Sequence, residues 1–420
     1  MRLTRSFPGS TFFQWLAAFG VALTLAACGG GSSNSDSSAN SSNSDGSALT
    51  NDQPIAANAA NTVPITVSPN PGGQANLPAV TVTVCAPGTN TCQTIDNIHL
   101  DTGSFGLRLT SDAAAKITGA LKINTASDGG QLAECAQFGD GFTWGTVRTA
   151  DVKIGGETAS NVPVHIIGDL PASTIPAANC VNGKAQNTSA ELSANGVLGI
   201  GVAATDCDAR CESASSSNYY SCPSGANCVT TGVPIASQVA NPVARFPVDN
   251  NGVIVQLPPL TAPAESVAGT LVFGIGTQSN NTLMDTTQYK STEMGSVKGT
   301  YKGTSVTTLL DTGSNALFFN DTSLPVCTSS NFTGFYCPTS TQTLTAQVSG
   351  TDGATTGTVT FLVSNAQSLN KSDSTFALPD YAGPSIIGAN VFIFGLPFFY
   401  GRHVYFGYAS ANAAPYVAFR

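Results

Sequence analysis

Short runs of apolar residues, either continuous or alternating with polar residues, make up most of the chain beyond residue 60. Gly, Pro, Asn and Asp separate them, in runs such as AVTVTVCA, RTADVKIGG, NVPVHII, NGVIVQLP, GTLVFGIG and RHVYFGYA. A period of two is typical of β-strands with one buried face, and the separating residues favour tight turns. Only residues 111–118 and 233–240 have a composition that predicts a helix. We therefore predict an all-β protein of packed sheets or barrels and exclude a doubly wound α/β sheet.

The N-terminus follows a different pattern, in which Arg2 and Arg5 precede an apolar run that ends in Leu-Ala-Ala-Cys at Cys28. This run is too short for a comfortable membrane span and has the flanks of an export signal, so we interpret residues 1–27 as a signal peptide. Leu-Ala-Ala-Cys resembles the lipobox of bacterial lipoproteins, in which the cysteine is lipidated, and Gly29 after it implies the outer membrane. An ordinary cleaved signal with an incidental cysteine is the alternative.

Beyond Cys28 the chain is almost pure Gly, Ser, Asn and Asp for a long stretch, which cannot bury enough apolar area to fold. We interpret residues 28–60 as a flexible tether. The remainder is too long for one hydrophobic core, so we expect an N-terminal β lobe over residues 61–247 and a C-terminal β lobe over residues 248–420. Pro, Asn and Gly cluster near the chosen boundary.

The charge distribution limits the possible partners. Only 10% of the residues are charged, and 25 acidic residues outnumber 16 basic ones. No Lys or Arg occurs between Arg5 and Arg108. This distribution argues against nucleic acid as a partner and against electrostatic docking to a membrane. We therefore expect membrane contact only through the N-terminal lipid.

The chain has 11 cysteines, of which Cys28 belongs to the lipobox. The others form an even set in an exported and oxidising setting, which favours disulfides. Close spacing in the sequence suggests the disulfides Cys85–Cys92 and Cys327–Cys337. Cys135 and Cys180 then remain as a further pair. The remaining cysteines form a cluster of four, Cys207, Cys211, Cys222 and Cys228. Three disulfide pairings are possible within this cluster, and the alternative is that its cysteines bind zinc.

The tetrapeptide Asp-Thr-Gly-Ser occurs twice, at residues 101–104 and 311–314, each time after a Leu and before an apolar run. Two apolar residues and a Gly follow downstream of each copy, as Val197-Leu198-Gly199 and Ile386-Ile387-Gly388. Coincidence in a chain rich in Gly, Ser and Thr would not keep matching flanks in the same order. The pattern indicates two related halves, each with one Asp at the end of a strand.

An Asp at the end of an apolar strand, followed by a Gly that permits a tight turn, is held rigidly beside small hydroxyl side chains. Two such residues from symmetry-related halves can meet, and adjacent carboxylates share a proton because both cannot ionise. One then serves as the base and the other as the acid, so the pair can activate a water and protonate a departing amide nitrogen. This chemistry needs no cofactor and no metal.

The two motifs resemble those of the pepsin-type aspartic peptidases, which are bilobal β proteins with one catalytic Asp in each lobe. The resemblance extends from about residue 65 to the C-terminus. Residues 138–156 are similar to the family's flap hairpin, and residues 386–409 are similar to its C-terminal stretch. It implies a pepsin-like fold of two pseudo-symmetric β lobes with a cleft between them. The chain also resembles a bacterial lipoprotein family of unknown function.

The resemblance implies a role for each matching residue, with Asp101 and Asp311 as the catalytic pair. Support for the pair would come from two threonines that brace the turns, two glycines that let the backbone approach the water and two serines that donate to the carboxylates: Thr102, Thr312, Gly103, Gly313, Ser104 and Ser314. The two apolar-apolar-Gly runs would pack beneath the motifs. The flap and the first specificity pocket would include Phe138, Gly139, Asp140, Gly141, Phe142 and Arg108.

Two of these positions depart from the family pattern. Phe138 stands where the family usually has a Tyr on the flap, and Arg108 stands where a Trp usually partners that Tyr. Both members of one hydrogen-bonded pair are thus replaced together. These replacements leave the two aspartates intact, but the substrate specificity of pepsin cannot be assumed for this chain.

Competing functions follow from other residues. A serine hydrolase is excluded because the chain has no nucleophile elbow. The three histidines lack the spacing of metal ligands, so we interpret His99, His165 and His403 as structural. We interpret Trp144 and residues 398–400 as core or flap packing. A non-catalytic lipoprotein that holds a peptide or glycan in the cleft is the main alternative, since fold does not determine function. We predict a monomeric aspartic endopeptidase that cleaves polypeptides and faces either the periplasm or the cell surface.

Overall fold

The computed structural model describes residues 57–177, 180–284, 286–370, 374–410 and 413–420. The predicted signal peptide, Cys28 and most of the predicted tether lie outside the described residues. None of the helices in the described ranges is long and apolar enough to cross a membrane.

Most of the regular structure is β, as the alternating pattern predicts. The strands are β1 (Thr62–Val67), β2 (Pro78–Cys85), β3 (Cys92–Asp101), β4 (Phe105–Thr110), β5 (Lys122–Ile123), β6 (Gln131–Gln137), β7 (Gly141–Ile154), β8 (Glu157–Ile167), β9 (Lys184–Ala185), β10 (Gly196–Ile200), β11 (Tyr219–Cys222), β12 (Val229–Thr230), β13 (Gly252–Gln256), β14 (Val267–Phe273), β15 (Thr287–Lys290), β16 (Val297–Tyr301), β17 (Thr304–Leu310), β18 (Leu317–Phe318), β19 (Gln342–Ser349), β20 (Thr356–Val363), β21 (Ala382–Gly383), β22 (Val391–Phe394), β23 (His403–Gly407) and β24 (Tyr416–Phe419).

The α-helices in the described ranges are single turns, namely α1 (Ala115–Thr118), α2 (Ser189–Leu192), α3 (Ala366–Leu369) and α4 (Leu396–Phe399). The helix predicted over residues 111–118 therefore forms only in its second half. The helix predicted over residues 233–240 is wrong, because only a 3₁₀ turn forms there, at Ile235–Ser237. The chain after this turn is extended, and the N–H of Ala240 donates to the carbonyl of Pro163 in β8.

The strands form two hydrogen-bonded sheets. The larger has 17 strands, β1 to β15 together with β23 and β24, and the smaller has seven in the order β20-β19-β16-β17-β22-β18-β21. In the larger sheet β14 pairs with β1 and also with β13, which pairs with β23. Strands from both ends of the chain thus share one sheet, and the lobe boundary predicted at residue 247 stays a prediction.

The same strand arrangement recurs around each Asp-Thr-Gly-Ser motif. In the first half, β3 ends at Asp101 and pairs in parallel with β10, which brings Gly199 opposite Asp101. In the second half, β17 ends one residue before Asp311 and pairs in parallel with β22. The N–H of Asp311 then donates to the carbonyl of Phe394. Each Asp is therefore held by a parallel neighbour from later in its own half.

This arrangement corrects one prediction in the second half. The run beneath the motif is not Ile386-Ile387-Gly388 but β22 with Gly395 after it, which fits the same apolar-apolar-Gly pattern. A Cβ at Gly395 would lie 2.0 Å from the carbonyl oxygen of Ala316, so only glycine fits this close approach. Ile386 instead has 59% of its surface exposed.

Apolar residues on the inner faces of these strands form the core. In β3, Ile98 and Leu100 are fully buried, whereas His99 between them is only partly buried. In β22, the ring of Phe392 stacks on Phe319 and packs at a tilt against Phe394. The structure confirms the predicted all-β class, and the strand arrangement around the two motifs recurs in the two halves.

Five disulfides join the ten cysteines that follow the predicted lipobox. Two of them resolve the pairing that the sequence left open, and the four cysteines of that cluster are bonded to each other rather than free to bind zinc. The pairs are Cys85–Cys92, Cys135–Cys180, Cys207–Cys211, Cys222–Cys228 and Cys327–Cys337. Among the described residues, no group of three or more His, Cys, Asp or Glu is arranged to hold a metal ion.

Candidate active site

The carboxyl groups of the two aspartates of the repeated motif lie side by side, because a Cβ at Gly313 would be 2.5 Å from Oδ1 of Asp101 and 3.1 Å from Oδ1 of Asp311. Each carboxylate is held in the same way by its own turn. Asp101 accepts from the N–H of Gly103 at 2.8 Å and from the hydroxyl of Ser104 at 2.5 Å. Asp311 accepts from the N–H of Gly313 at 2.8 Å and from the hydroxyl of Ser314 at 2.6 Å. The pair is therefore nearly symmetric in its hydrogen bonding.

The two turns are joined through their threonines. The hydroxyl of Thr102 donates to the carbonyl of Leu310, and the hydroxyl of Thr312 donates to the carbonyl of Leu100. Each hydroxyl also accepts from the backbone N–H of the other threonine. All four bonds cross between the halves, so they fix the separation of the two carboxylates.

The glycines of the motif lie directly against the carboxylates of the opposite half. A Cβ at Gly103 would lie 2.6 Å from Oδ1 of Asp311, and a Cβ at Gly313 would lie 2.5 Å from Oδ1 of Asp101. Neither distance leaves room for a side chain. The small size of glycine is therefore what lets each turn approach the opposite aspartate.

Burial and proximity determine the protonation of the pair. Burial, together with the negative charge of Asp101, raises the pKa of Asp311 to about 8. The hydroxyl of Ser314 and the N–H of Gly313 oppose this shift, because both favour the ionised form. Asp311 is thus protonated at neutral pH. The pair contains an acid in hydrogen-bonding contact with a second carboxyl group.

The predicted flap is the hairpin of β6 and β7, which pair from Ala133↔Thr146 to Gln137↔Phe142. Its turn is closed by a bond from the N–H of Phe138 to the carbonyl of Gly141. At the tip, a Cβ at Gly139 would lie 3.5 Å from Cγ2 of Ile387 and 3.8 Å from Cδ1 of Ile386. The hairpin therefore reaches across to the second half.

Not every residue predicted for the flap lies at its tip. Phe138 is partly buried, and Gly139 and Asp140 are exposed. Gly141 and Phe142 are buried, and Phe142 packs in a cluster with Trp144 and the disulfide of Cys135. Phe142 lies in the last strand pair before the turn, opposite Gln137, and its buried ring supports the hairpin next to the tip.

Arg108 is also in a different place from the one predicted. Its guanidinium is buried, and Nη2 lies 2.5 Å from Oε1 of Glu134 and 3.1 Å from Oδ2 of Asp206. Its Nη1 donates to the carbonyl of Phe105, directly after the first motif. The assignment of Arg108 as a substrate-binding residue is therefore wrong, because its charge is taken up inside the first half.

The ion pair has a structural consequence for the flap. Glu134 lies in β6, four residues before Phe138, so Arg108 joins the strand after the first motif to the base of the flap hairpin. Burial and the neighbouring Glu134 raise the pKa of Asp206, while Arg108 opposes this. The hydroxyl of Tyr219 also donates to Asp206 at 2.5 Å.

Sequence reasoning missed Glu134 and Asp206. The available signal was Arg108 itself, because an Arg within an apolar strand needs buried carboxylates. Glu134 within the apolar run Leu-Ala-Glu-Cys-Ala was the nearest candidate. His165 lies 3.0 Å from Glu134, and burial with the charge of Arg108 lowers its pKa to about 3, so this contact is not an ion pair.

Comparisons with known proteins fall into three groups. A family model described as "Protein of unknown function (DUF3443)" matches residues 57–419. No curated protein matches the chain. Among solved structures, the chain is similar to the crystal structure of an aspartic proteinase from Irpex lacteus, at 17% sequence identity and a TM-score of 0.46, over 86% of this chain and 97% of that chain.

Proposed function

This chain belongs to the DUF3443 family of proteins of unknown function, and we propose that it is an aspartic endopeptidase. The observation that carries the proposal is the contact between Asp101 and Asp311, each bound by its own Gly N–H and Ser hydroxyl. Two carboxyl groups that share one proton are the minimum needed to activate water and to protonate a leaving nitrogen.

The two carboxyl groups take different roles because their protonation differs. Asp311 holds the proton, since burial and Asp101 raise its pKa to about 8. It donates to the carbonyl oxygen of the scissile peptide bond. Asp101 takes a proton from the water that attacks the carbonyl carbon. The proton taken by Asp101 then passes to the departing nitrogen, and the Asp311 proton is restored when the tetrahedral intermediate collapses.

The flap and its anchor support a polypeptide substrate. The hairpin tip lies close to Ile387 of the second half, so the hairpin would have to lift to admit a polypeptide and could then cover it. We further propose that the enzyme is monomeric and is lipid-anchored to the outer membrane through Cys28. The experiment for the anchor is labelling with a fatty-acid probe, which Cys28→Ala should abolish.

Cleavage of denatured casein by the chain from residue 29 onward, from pH 3 to pH 9, tests the peptidase. Asp101→Asn and Asp311→Asn should each abolish cleavage, whereas the exposed Asp352→Asn should cleave like the wild type. All variants should keep the wild-type melting temperature within a few degrees or exceed it. Pepstatin sensitivity would report on the altered flap. No cleavage of casein or of a diverse peptide library at any pH would contradict the proposal and favour a peptide- or glycan-binding lipoprotein.

A further inference from the structure

Asn76 lies in the connection between β1 and β2, in the first half of the chain, and it is fully buried. Its side-chain N–H₂ group donates to the carbonyls of Asn315 and Leu378, at 2.9 Å each. Its side-chain oxygen accepts from the N–H of Leu378 at 2.8 Å and from the hydroxyl of Tyr400 at 2.9 Å. All of these partners belong to the second half. A side chain of the first half is therefore bound entirely by the second half.

The backbone of Asn76 fixes the direction from which this side chain arrives. Its N–H donates to the carbonyl of Phe376 at 2.7 Å, and its φ of 57° lies in the left-handed region. Asn, Asp and His are the residues with a side chain that adopt this region most often. Of these, only Asn combines two N–H donors with a carbonyl acceptor in one group. The backbone conformation and the hydrogen bonds thus both select Asn at this position.

The bond to Asn315 belongs to an arrangement that both halves share, which begins at the last residue of each motif. The carbonyl of Ser104 accepts from the N–H of Gly201 at 3.0 Å. The carbonyl of Ser314 accepts from the N–H of Leu396 at 2.8 Å. The backbone that leaves each motif is therefore first held by an N–H from later in the same half.

The next carbonyl along the chain accepts from a buried side chain in each half. Nη1 of Arg108 donates to the carbonyl of Phe105 at 2.7 Å, and the side-chain amide of Asn76 donates to the carbonyl of Asn315 at 2.9 Å. Arg108 belongs to the same half as the motif that it holds, whereas Asn76 reaches the second motif from the first half. Different side chains thus hold equivalent carbonyls in the two halves.

The carbonyl of Asn315 is close to the catalytic pair along the chain. Asn315 directly follows Ser314, whose hydroxyl donates to Asp311 at 2.6 Å. A displacement of Asn315 would therefore be passed to Ser314 and to the carboxyl group that it binds. Groups that fix the orientation of a catalytic side chain in this way contribute to the rate without contacting the substrate.

We propose that Asn76 is a positioning residue for the second motif, which holds the carbonyl of Asn315 and thereby keeps Ser314 and Asp311 in the geometry that catalysis requires. This inference rests on the proposed peptidase function. It adds a connection between the halves that is independent of the two threonines.

The test compares Asn76→Gly with Asn281→Gly. Gly suits the left-handed backbone of residue 76, so the first variant removes only the side chain. Asn281 is the matched control because it is also buried and its side chain also makes four hydrogen bonds, none of them to a residue of either motif.

Both variants should lose a similar amount of stability in urea, since each loses the same number of buried hydrogen bonds. The kcat for casein should fall about 10- to 100-fold in Asn76→Gly alone, because the second carboxyl group is displaced while the rest of the cleft is unchanged. A wild-type kcat in Asn76→Gly, or an equal fall in both variants, would overturn the inference.

Asn76→Asp tests the same bond if Asn76→Gly does not fold. An ionised Asp keeps the shape of the side chain and the acceptor oxygen for Leu378 and Tyr400, but it has no N–H for the carbonyl of Asn315. We expect its kcat to fall as in Asn76→Gly. A folded Asn76→Asp with the wild-type kcat would contradict the proposed role.

A titration separates this inference from the peptidase proposal, because it needs no cleavage. The carboxyl carbons of the aspartates are followed by carbon-13 NMR as the pH is raised, and the Asp311 signal is the one that Asp311→Asn removes. A loosened second turn separates the carboxyl groups and admits water, so the pKa of Asp311 should fall from about 8 in Asn76→Gly but not in Asn281→Gly.

A fall in this pKa that is confined to Asn76→Gly would support the role of Asn76 even if no substrate is cleaved. The same pKa in the wild type and Asn76→Gly would overturn it even if the wild type proves to be a peptidase.

Discussion

Thr102 and Thr312 hold the two halves of the site together by a reciprocal exchange of hydrogen bonds. The N–H of Thr312 donates to the hydroxyl of Thr102 at 3.0 Å, and the N–H of Thr102 donates to the hydroxyl of Thr312 at 3.1 Å. Each hydroxyl donates its own hydrogen bond to a backbone carbonyl of the opposite half, Thr102 to Leu310 and Thr312 to Leu100. The spacing of the aspartates therefore depends on two buried side chains outside the carboxyl pair.

Thr102→Val should destabilise the protein because it leaves the N–H of Thr312 and the carbonyl of Leu310 buried without partners. We expect a loss of about 2–4 kcal/mol, measured by urea unfolding, together with a fall in kcat. Thr102→Ser should restore most of both. Thr83→Val is the matched control, since its bond to Thr94 is exposed and should cost about 0.5 kcal/mol or less. An equal urea midpoint for the two Val variants would contradict this account.

The stability of the protein should fall as the pH rises from about 4 to about 8, in part because of Asp311. Its pKa is raised to about 8 in the folded state, so the folded protein keeps a proton that the unfolded chain releases near pH 4. The free energy of unfolding therefore decreases progressively through this pH window, and the loss stays constant above it.

Asp311→Asn removes this contribution, so its melting temperature relative to the wild type should increase between pH 4 and pH 8. Scanning calorimetry at pH 4, 6 and 8 measures the difference. Asp352→Asn, at an exposed position, should show no such increase. A difference between Asp311→Asn and the wild type that stays constant with pH would show that Asp311 does not hold the extra proton.

Gly313→Ala should inactivate the enzyme without unfolding it. The added methyl group would lie 2.5 Å from Oδ1 of Asp101 and 3.1 Å from Oδ1 of Asp311, so the carboxylates must separate. A displacement of this size typically lowers kcat/KM by about 100-fold. Gly119→Ala is the control, because a Cβ there meets nothing within 4 Å. Full activity of Gly313→Ala in the casein assay would mean that the pair tolerates a wider spacing.

The repeated motif was predictable because it is a short linear pattern whose two copies share flanking residues. Asp101 and Asp311 could be paired from sequence, and so could the roles of the neighbouring hydroxyls. The strand beneath the second motif could not, since both Gly388 and Gly395 follow two apolar residues and only strand pairing distinguishes them. Pairing depends on contacts distant in sequence, which a local pattern does not contain.

The partners of Arg108 were unpredictable for the same reason. Glu134 and Asp206 approach it from a different strand and from a loop, and although the apolar run around Glu134 marks that residue as buried, nothing in the sequence joins either residue to Arg108. A resemblance to another family was misleading here, because it assigned Arg108 the position of a cleft residue. The physical cost of burying a lone guanidinium would have been the better guide.

The buried ion pair of Arg108 should contribute far more to stability than an exposed ion pair, and two variants compare them. Arg108→Met should destabilise the protein by about 3–5 kcal/mol at pH 7, because it leaves Glu134 and Asp206 buried without a positive charge. Lys290→Met, which breaks a 2.8 Å contact to Asp352 in an exposed pair, should cost less than about 1 kcal/mol. Urea unfolding measures both.

A lower pH distinguishes the loss of a buried positive charge in Arg108→Met from a simple loss of packing. In Arg108→Met the unpaired carboxyl groups have raised pKa values in the folded state, so the folded variant binds protons more tightly than the unfolded chain. Lowering the pH from 7 to 5 should therefore recover part of the lost stability, and adding Glu134→Gln should recover part of it at pH 7. If the deficit of Arg108→Met is the same at both pH values, the guanidinium contributes through packing rather than charge, and the flap is not anchored by the ion pair.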